Sequence, residues 1–191
     1  MAIYSTANKE GVDVNAYFIL DATGTPEYPR PPFNPGEVAK GTDGSEWVYC
    51  TASVTIAAST VVYISAVPGS FSVAKIGGAT IAGTAAPIGQ LVGIVGGSKG
   101  SLAIPAPSGT QTGVYFWVQR AGNVPNVLCA ASTTKNAQLY SSATASGTVS
   151  SSAGGANTTY QIDGLVISQS TGSAAGPNTA VANYPVVGAS A

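Results

Sequence analysis

Val114-Tyr115-Phe116-Trp117-Val118 is an unbroken run of β-branched and aromatic residues, entered from Gly113 and left towards Gly122 and Pro125. Such side chains fit a pleated, half-buried surface, and Gly, Pro, Asn and Ser punctuate runs of this kind. The same grammar holds from residue 47 onward, in Trp47-Val48-Tyr49-Cys50, Val61-Val62-Tyr63-Ile64, Leu91-Val92-Gly93-Ile94-Val95 and Leu165-Val166-Ile167. No window sustains an apolar period of about 3.6 residues against a charged opposite face. Only Ala130 to Leu139 has the makings of a short helix, and the Ala/Ser/Gly-rich stretch from Ser141 to Asn157 reads as loop or weakly specified strand. The fold class is therefore all-β.

The strand run has a partner earlier in the chain. Val54-Thr55-Ile56-Ala57-Ala58-Ser59-Thr60 matches Val127-Leu128-Cys129-Ala130-Ala131-Ser132-Thr133 at five of seven positions, at an offset of 73 residues. Trp47-Val48 precedes the first copy and Trp117-Val118 the second, 70 apart, and Gly93-Ile94-Val95 and Gly164-Leu165-Val166 close them, 71 apart. Three matches in one order at nearly one spacing point to duplication. The repeats cover about 47–105 and 113–170, and the chain divides into an arm at 1–46, a first β module at 47–112 and a second at 113–191. Each module suits a small sandwich or barrel; packing the two together extends a shared core and hides strand edges. Trp47 and Trp117, at matching repeat positions, are expected to anchor the core.

The arm differs in kind. It holds ten of the charged residues of the chain, whereas only Arg120, Lys135 and Asp163 follow residue 100. Pro26, Pro29, Pro31, Pro32 and Pro35 exclude helix and interior sheet from this stretch and favour an extended strut of about 3 Å per residue. Tyr28 and Phe33 stud the strut, and Tyr17 and Phe18 lie in a strand-like run before it.

Composition excludes several functions. The 191 residues include no histidine, so neither a Ser-His-Asp nor a Cys-His nucleophile system can form. Zinc bound through His is equally excluded, and two cysteines do not complete a thiolate site. With 7 basic against 8 acidic residues there is no cationic field for a nucleic-acid backbone. The longest apolar stretches are broken within ten residues, short of the roughly 20 a membrane span needs, and residues 1–10 show no apolar signal core. The expected setting is a cytoplasm, with Cys50 and Cys129 as buried thiols. Carboxylates could act without histidine, but Asp13, Asp21, Glu27, Glu37, Asp43 and Glu46 all lie in the arm, and Asp43-Gly44 and Asp163-Gly164 read as turn pairs. Gly96-Gly97-Ser98-Lys99-Gly100 lacks the order of a phosphate loop and reads as a linker. No catalytic residue, metal ligand or cofactor is assigned.

A charged fraction of 8% is about a third of the usual ~25%. An apolar share of 45% rules out disorder by lack of hydrophobicity. A surface of Ser, Thr, Asn, Gly and Ala with so little ionic repulsion suits a protein docked on something larger.

Several segments resemble the head decoration proteins of tailed bacteriophages. These are Gly41-Thr42-Asp43-Gly44-Ser45-Glu46-Trp47-Val48-Tyr49, Ala121-Gly122-Asn123-Val124-Pro125, Cys129-Ala130-Ala131-Ser132-Thr133-Thr134, Leu139-Tyr140, Ile162-Asp163-Gly164-Leu165-Val166 and Tyr184-Pro185-Val186-Val187-Gly188. The likeness covers, in pieces, about 41–66 and 115–188, and the proline-rich strut has no counterpart in it. It implies a non-enzymatic cement protein, made in the host cytoplasm, that sits on the outer capsid surface and stabilises the expanded head. The implied partners are the major capsid protein and further copies of the chain, as dimer or trimer, with no nucleic acid and no membrane. The alternatives are a receptor-binding or fibre-associated β module and, less favoured, a carboxylate-dependent glycan hydrolase. Tyr17, Phe18, Tyr28, Pro31, Pro32 and Phe33 are the candidate capsid contacts, since aromatic anchors dominate interface energy. Tyr17 and Phe18 also have a plainer reading, as members of the first module's sheet.

Overall fold

The computed structural model describes residues 12–21, 31–67, 70–77, 88–154 and 159–190. Among these residues the chain is all-β. The strands are β1 (Tyr17–Asp21), β2 (Val38–Lys40), β3 (Glu46–Ala52), β4 (Val61–Val67), β5 (Ser70–Lys75), β6 (Leu91–Ile94), β7 (Gln111–Cys129), β8 (Leu139–Ser141), β9 (Val149–Ser150), β10 (Tyr160–Ile167) and β11 (Gly176–Ser190).

All eleven belong to one hydrogen-bonded sheet, in the order β1-β7-β9-β8-β10-β11-β6-β4-β5-β3-β2, and β7 pairs in addition with β11, β6 and β3. Those extra pairings close two circuits that share β7. In the first, β3 runs parallel to β5, β5 antiparallel to β4, β4 to β6, β6 to β7, and β7 back to β3. In the second, β7 runs parallel to β9, β9 antiparallel to β8, β8 to β10, β10 to β11, and β11 back to β7. The two circuits have the same pairing pattern, strand for strand. The matched heptapeptides also turn alike: Ser59 and Ser132 both adopt a left-handed backbone, with φ of 66° and 57°.

Each circuit surrounds apolar side chains. Val48, Cys50, Ala52, Val62, Ile64, Val73, Val114, Phe116 and Val118 fill the first. Val124, Val127, Cys129, Leu139, Val149, Ile162, Leu165, Ile167, Ala180 and Ala182 fill the second, joined by Val61, Val92 and Ile94. β4 therefore buries Val62 and Ile64 on one side and Val61 on the other, which explains an uninterrupted apolar run in place of clean alternation. Both cysteines are free and buried.

β7 is longer than its sequence announces. Gly122 and Pro125 read as breaks, yet the strand runs through both for 19 residues. It absorbs them at irregularities, the places where a sheet tolerates Gly and Pro. Opposite β3 the register skips Arg120, and opposite β11 it shifts where Pro125 and Asn126 face Thr179. Asp163-Gly164 is likewise a bulge inside β10, with Gly164 at φ 82°, and not the turn its composition suggests. Residues 130–138 form turns and loop instead of a helix, and Leu139 opens β8. Hydroxyls take over the backbone there: Thr133 Oγ1 and Thr171 Oγ1 both donate to the Ala130 carbonyl (2.7 Å each), and Thr171 Oγ1 accepts from the Thr133 amide (2.7 Å).

The described parts of the segment up to residue 46 lie on the body. β1 pairs with β7, matching Tyr17 with Phe116 and Ile19 with Val114, and β2 pairs with β3. Val12 and Val14 are buried. Asn15 Oδ1 accepts hydrogen bonds from the Ser98 amide and hydroxyl (2.9 and 3.0 Å), which fastens the segment to the glycine-rich turn after β6.

Candidate functional site: an aromatic cleft beside the edge strand

Cross-strand pairing decides which side chains the site contains. In the β3–β7 ladder Trp47 faces Gln119, Tyr49 faces Trp117 and Thr51 faces Tyr115. The even-numbered residues of β3 and β7 point into the first circuit, so these odd-numbered ones share the opposite face. Trp47 and Trp117 thus anchor one cluster on the outside of the ladder, with Val12, Val14, Ala39 and Tyr49, and not two separate module cores. Their shared tryptophan signature marks a second packed layer laid over the β3–β7 ladder.

Phe33 covers that layer. Its ring centroid lies 5.1 Å from Trp117 and 5.4 Å from Tyr49, both edge-on, and Tyr49 and Trp117 are 4.9 Å apart. Tyr115 stacks on Tyr49 at 6.1 Å, and Phe18 tilts against Tyr115 at 6.4 Å. Edge-on and offset ring contacts are the favoured geometries for such pairs. Burial, with Tyr115 alongside, pushes the Tyr49 phenol well above its ordinary pKa.

Between this layer and the start of β1 opens a cleft of about 280 Å³ lined by Asp13, Ala16, Tyr17, Phe18, Pro32, Phe33, Tyr49 and Trp117. Four of the six residues expected to make partner contacts, Tyr17, Phe18, Pro32 and Phe33, meet here although the segment between β1 and Pro31 separates them in sequence. Tyr17 is 44% exposed, Pro32 is exposed, and Phe18 and Phe33 are half-buried. Pro31 is half-buried and adjoins the cleft without lining it. Tyr28 lies outside the described residues. Asp13, Tyr49 and Trp117 were not expected. The alternation Trp47-x-Tyr49 and Tyr115-x-Trp117 is the sequence signal that places the last two on one sheet face.

Among the described strands β1 ends the sheet, and a sheet edge can take on a further strand. The sheet edge and the cleft therefore adjoin. Beyond the cleft, the main polar cluster joins β3 to β11. Tyr184, at φ 48°, donates from its hydroxyl to Glu46 Oε2 (3.0 Å), Lys40 Nζ lies 3.8 Å from the same oxygen, and the Arg120 guanidinium sits 5.5 Å from the Tyr184 ring centre. The expected Asp43-Gly44 turn is present, with Gly44 at φ 81°. There the Ser45 amide donates to Asp43 Oδ1 (3.0 Å) and Trp47 Nε1–H donates to Ser45 Oγ (3.0 Å). Hydrogen bonds from the Ser45 hydroxyl and amide hold the Asp43 carboxyl below its ordinary range.

Among the described residues no three His, Cys, Asp or Glu side chains gather as a metal site, and no helix is long and apolar enough to cross a membrane. No protein-family model matches the chain, and no curated protein matches it in sequence.

Proposed function

We propose that the chain is a structural, non-catalytic protein of a bacteriophage particle that binds the outer surface of the capsid and cements the expanded head. The supporting observation is the convergence of Tyr17, Phe18, Pro32 and Phe33 on one partly open aromatic cleft beside β1, which ends the sheet among the described strands. An aromatic anchor site next to an edge offers the two elements that extended-peptide recognition uses, side-chain pockets and main-chain hydrogen bonds. The nearly uncharged β body supplies broad contact area with little electrostatic repulsion between neighbouring copies.

In this account the two pairing circuits are duplicated β modules, and the segment up to residue 46 is the docking arm, laid back over the first module in its described parts. The partners are the major capsid protein and other copies of the chain, as a dimer or trimer. Weak contacts repeated over a lattice gain avidity through effective concentration.

Purified chain mixed with expanded heads that lack it should co-sediment with them, saturating at a fixed ratio to the capsid protein. Failure to co-sediment at any ratio, or binding to host cells instead, would remove the proposal.

A further inference from the structure

We propose that the aromatic cleft seats a basic side chain of the docking partner, an arginine stacked against its rings with the guanidinium on Asp13; this deepens the docking reading above and rests on it. Among the described residues the cleft is lined by five rings, those of Tyr17, Phe18, Phe33, Tyr49 and Trp117, and by one charged group, Asp13. Among the described residues no basic side chain lines it. Asp13 Oδ1 accepts the Asn15 amide (2.9 Å), and the structure gives this carboxylate no cationic partner among the described residues. Aromatic faces attract cations, and a carboxylate beside them selects a cation over a neutral group of the same shape.

Size and charge narrow the occupant. The volume, about 280 Å³, falls just under the ~300–1,000 Å³ of small-molecule sites, so it suits one inserted side chain and not a cofactor. An anionic surface, whether nucleic acid or phospholipid, would meet Asp13 as like charge. Arginine fits better than lysine because its guanidinium is planar, weakly hydrated and able to stack on a ring while its edge donates to a carboxylate. The adjoining strand β1, at the end of the sheet among the described strands, can hold the backbone on which that arginine is carried.

The test is a titration of the full chain with the peptide Ac-Gly-Arg-Gly-NH2, followed by NMR. Its isosteric, uncharged citrulline analogue serves as the control. The arginine peptide should shift the Trp117 indole signal and the amides of Tyr17, Phe18 and Phe33 saturably, and the citrulline peptide should bind roughly five-fold more weakly. Asp13→Asn should reduce arginine binding by about the same factor and leave citrulline binding unchanged. Its melting temperature should hold, because Asn keeps the acceptor for the Asn15 amide. Equal binding of the two peptides, or shifts away from the cleft, overturns the proposal. Heads that bind wild type and Asp13→Asn equally well also overturn it while leaving capsid docking intact. A cleft response to arginine without any binding to heads supports the cleft chemistry and removes the capsid as its partner.

Discussion

Replacing Phe33 by Ala separates two roles that the proline-rich segment can play. A side chain that only touches a partner can be removed from the free protein at no cost. In the structure, however, Phe33 packs edge-on against Trp117 and Tyr49 at 5.1 and 5.4 Å and partly covers the outer aromatic layer. A phenylalanine buries at least ~150 Å² when fully enclosed; with the ring half-buried, about 80 Å² at ~25 cal/mol per Å² gives roughly 2 kcal/mol. The ring-pair energies overlap with that area and are not added. For a chain of this length, ~2 kcal/mol lowers Tm by about 4–8 °C. Urea unfolding followed by tryptophan fluorescence is the assay, since Trp47 and Trp117 both sit in the affected layer. The variant should lose about 2 kcal/mol, with native emission shifted to the red as the layer opens to water. A loss under ~0.5 kcal/mol with unchanged emission, the range of an ordinary surface substitution, would refute the assignment of Phe33 to this layer.

Three further outcomes follow from local geometry. The carboxyl of Asp43 has its pKa depressed in the fold by Ser45, so its contribution is complete above its ordinary value of 3.8 and is lost as pH falls through the folded value. The stability advantage of wild type over Asp43→Asn should therefore be present at neutral pH and shrink in acid; an advantage that grows below pH ~4 would contradict this. Burial pushes the Cys129 thiol up to about 11 and that of Cys50 higher still, so neither should react with a thiol reagent at about pH 8 until the protein is unfolded. Rapid labelling of either in the native state would show the cores to be misassigned. Gly97 has φ 65°, and a Cβ there would lie 2.6 Å from Asn15 Oδ1, the oxygen that accepts both Ser98 hydrogen bonds. Gly97→Ala should cost about 2–3 kcal/mol, whereas Gly44→Ala, at φ 81° with open space around it, should cost only ~1 kcal/mol; equal melting temperatures for the two variants would contradict the fastening role of Asn15.

The strand content was legible because Val, Ile, Tyr, Trp and Thr cluster between Gly, Ser and Pro, and because β10 and β11 bury alternate residues. The likeness of the two heptapeptides has a local counterpart in the structure. Both end in the same left-handed serine turn, a local demand that survives in the residues themselves. The strand β7 was not legible as one element. Gly122 and Pro125 carry the same local signal whether they end a strand or sit at a bulge, and only the facing strands β3 and β11 decide between these. The tryptophans do anchor a core, as expected, but which one was hidden for a similar reason. Both fall on the outside of one ladder, because β3 lies against the first half of β7 in a register that no local pattern specifies. The place of Pro32 and Phe33 followed from that. An extended, aromatic-studded stretch suits either a foreign surface or the chain's own, and without Phe33 over them the rings of Tyr49 and Trp117 would be left more open to water. Of the cleft, the arm's share was legible in Tyr17, Phe18, Pro32 and Phe33; the floor it acquires from β3 and β7 is a tertiary product.

The most direct test of the account is the disruption temperature of expanded heads, measured by release of their DNA, with and without saturating protein. Braced by a cement protein, heads should open at a temperature several degrees higher, and the gain should follow occupancy of the lattice. Heads that bind the protein fully yet open at the same temperature as bare heads would contradict the claim that this chain exists to hold a shell together.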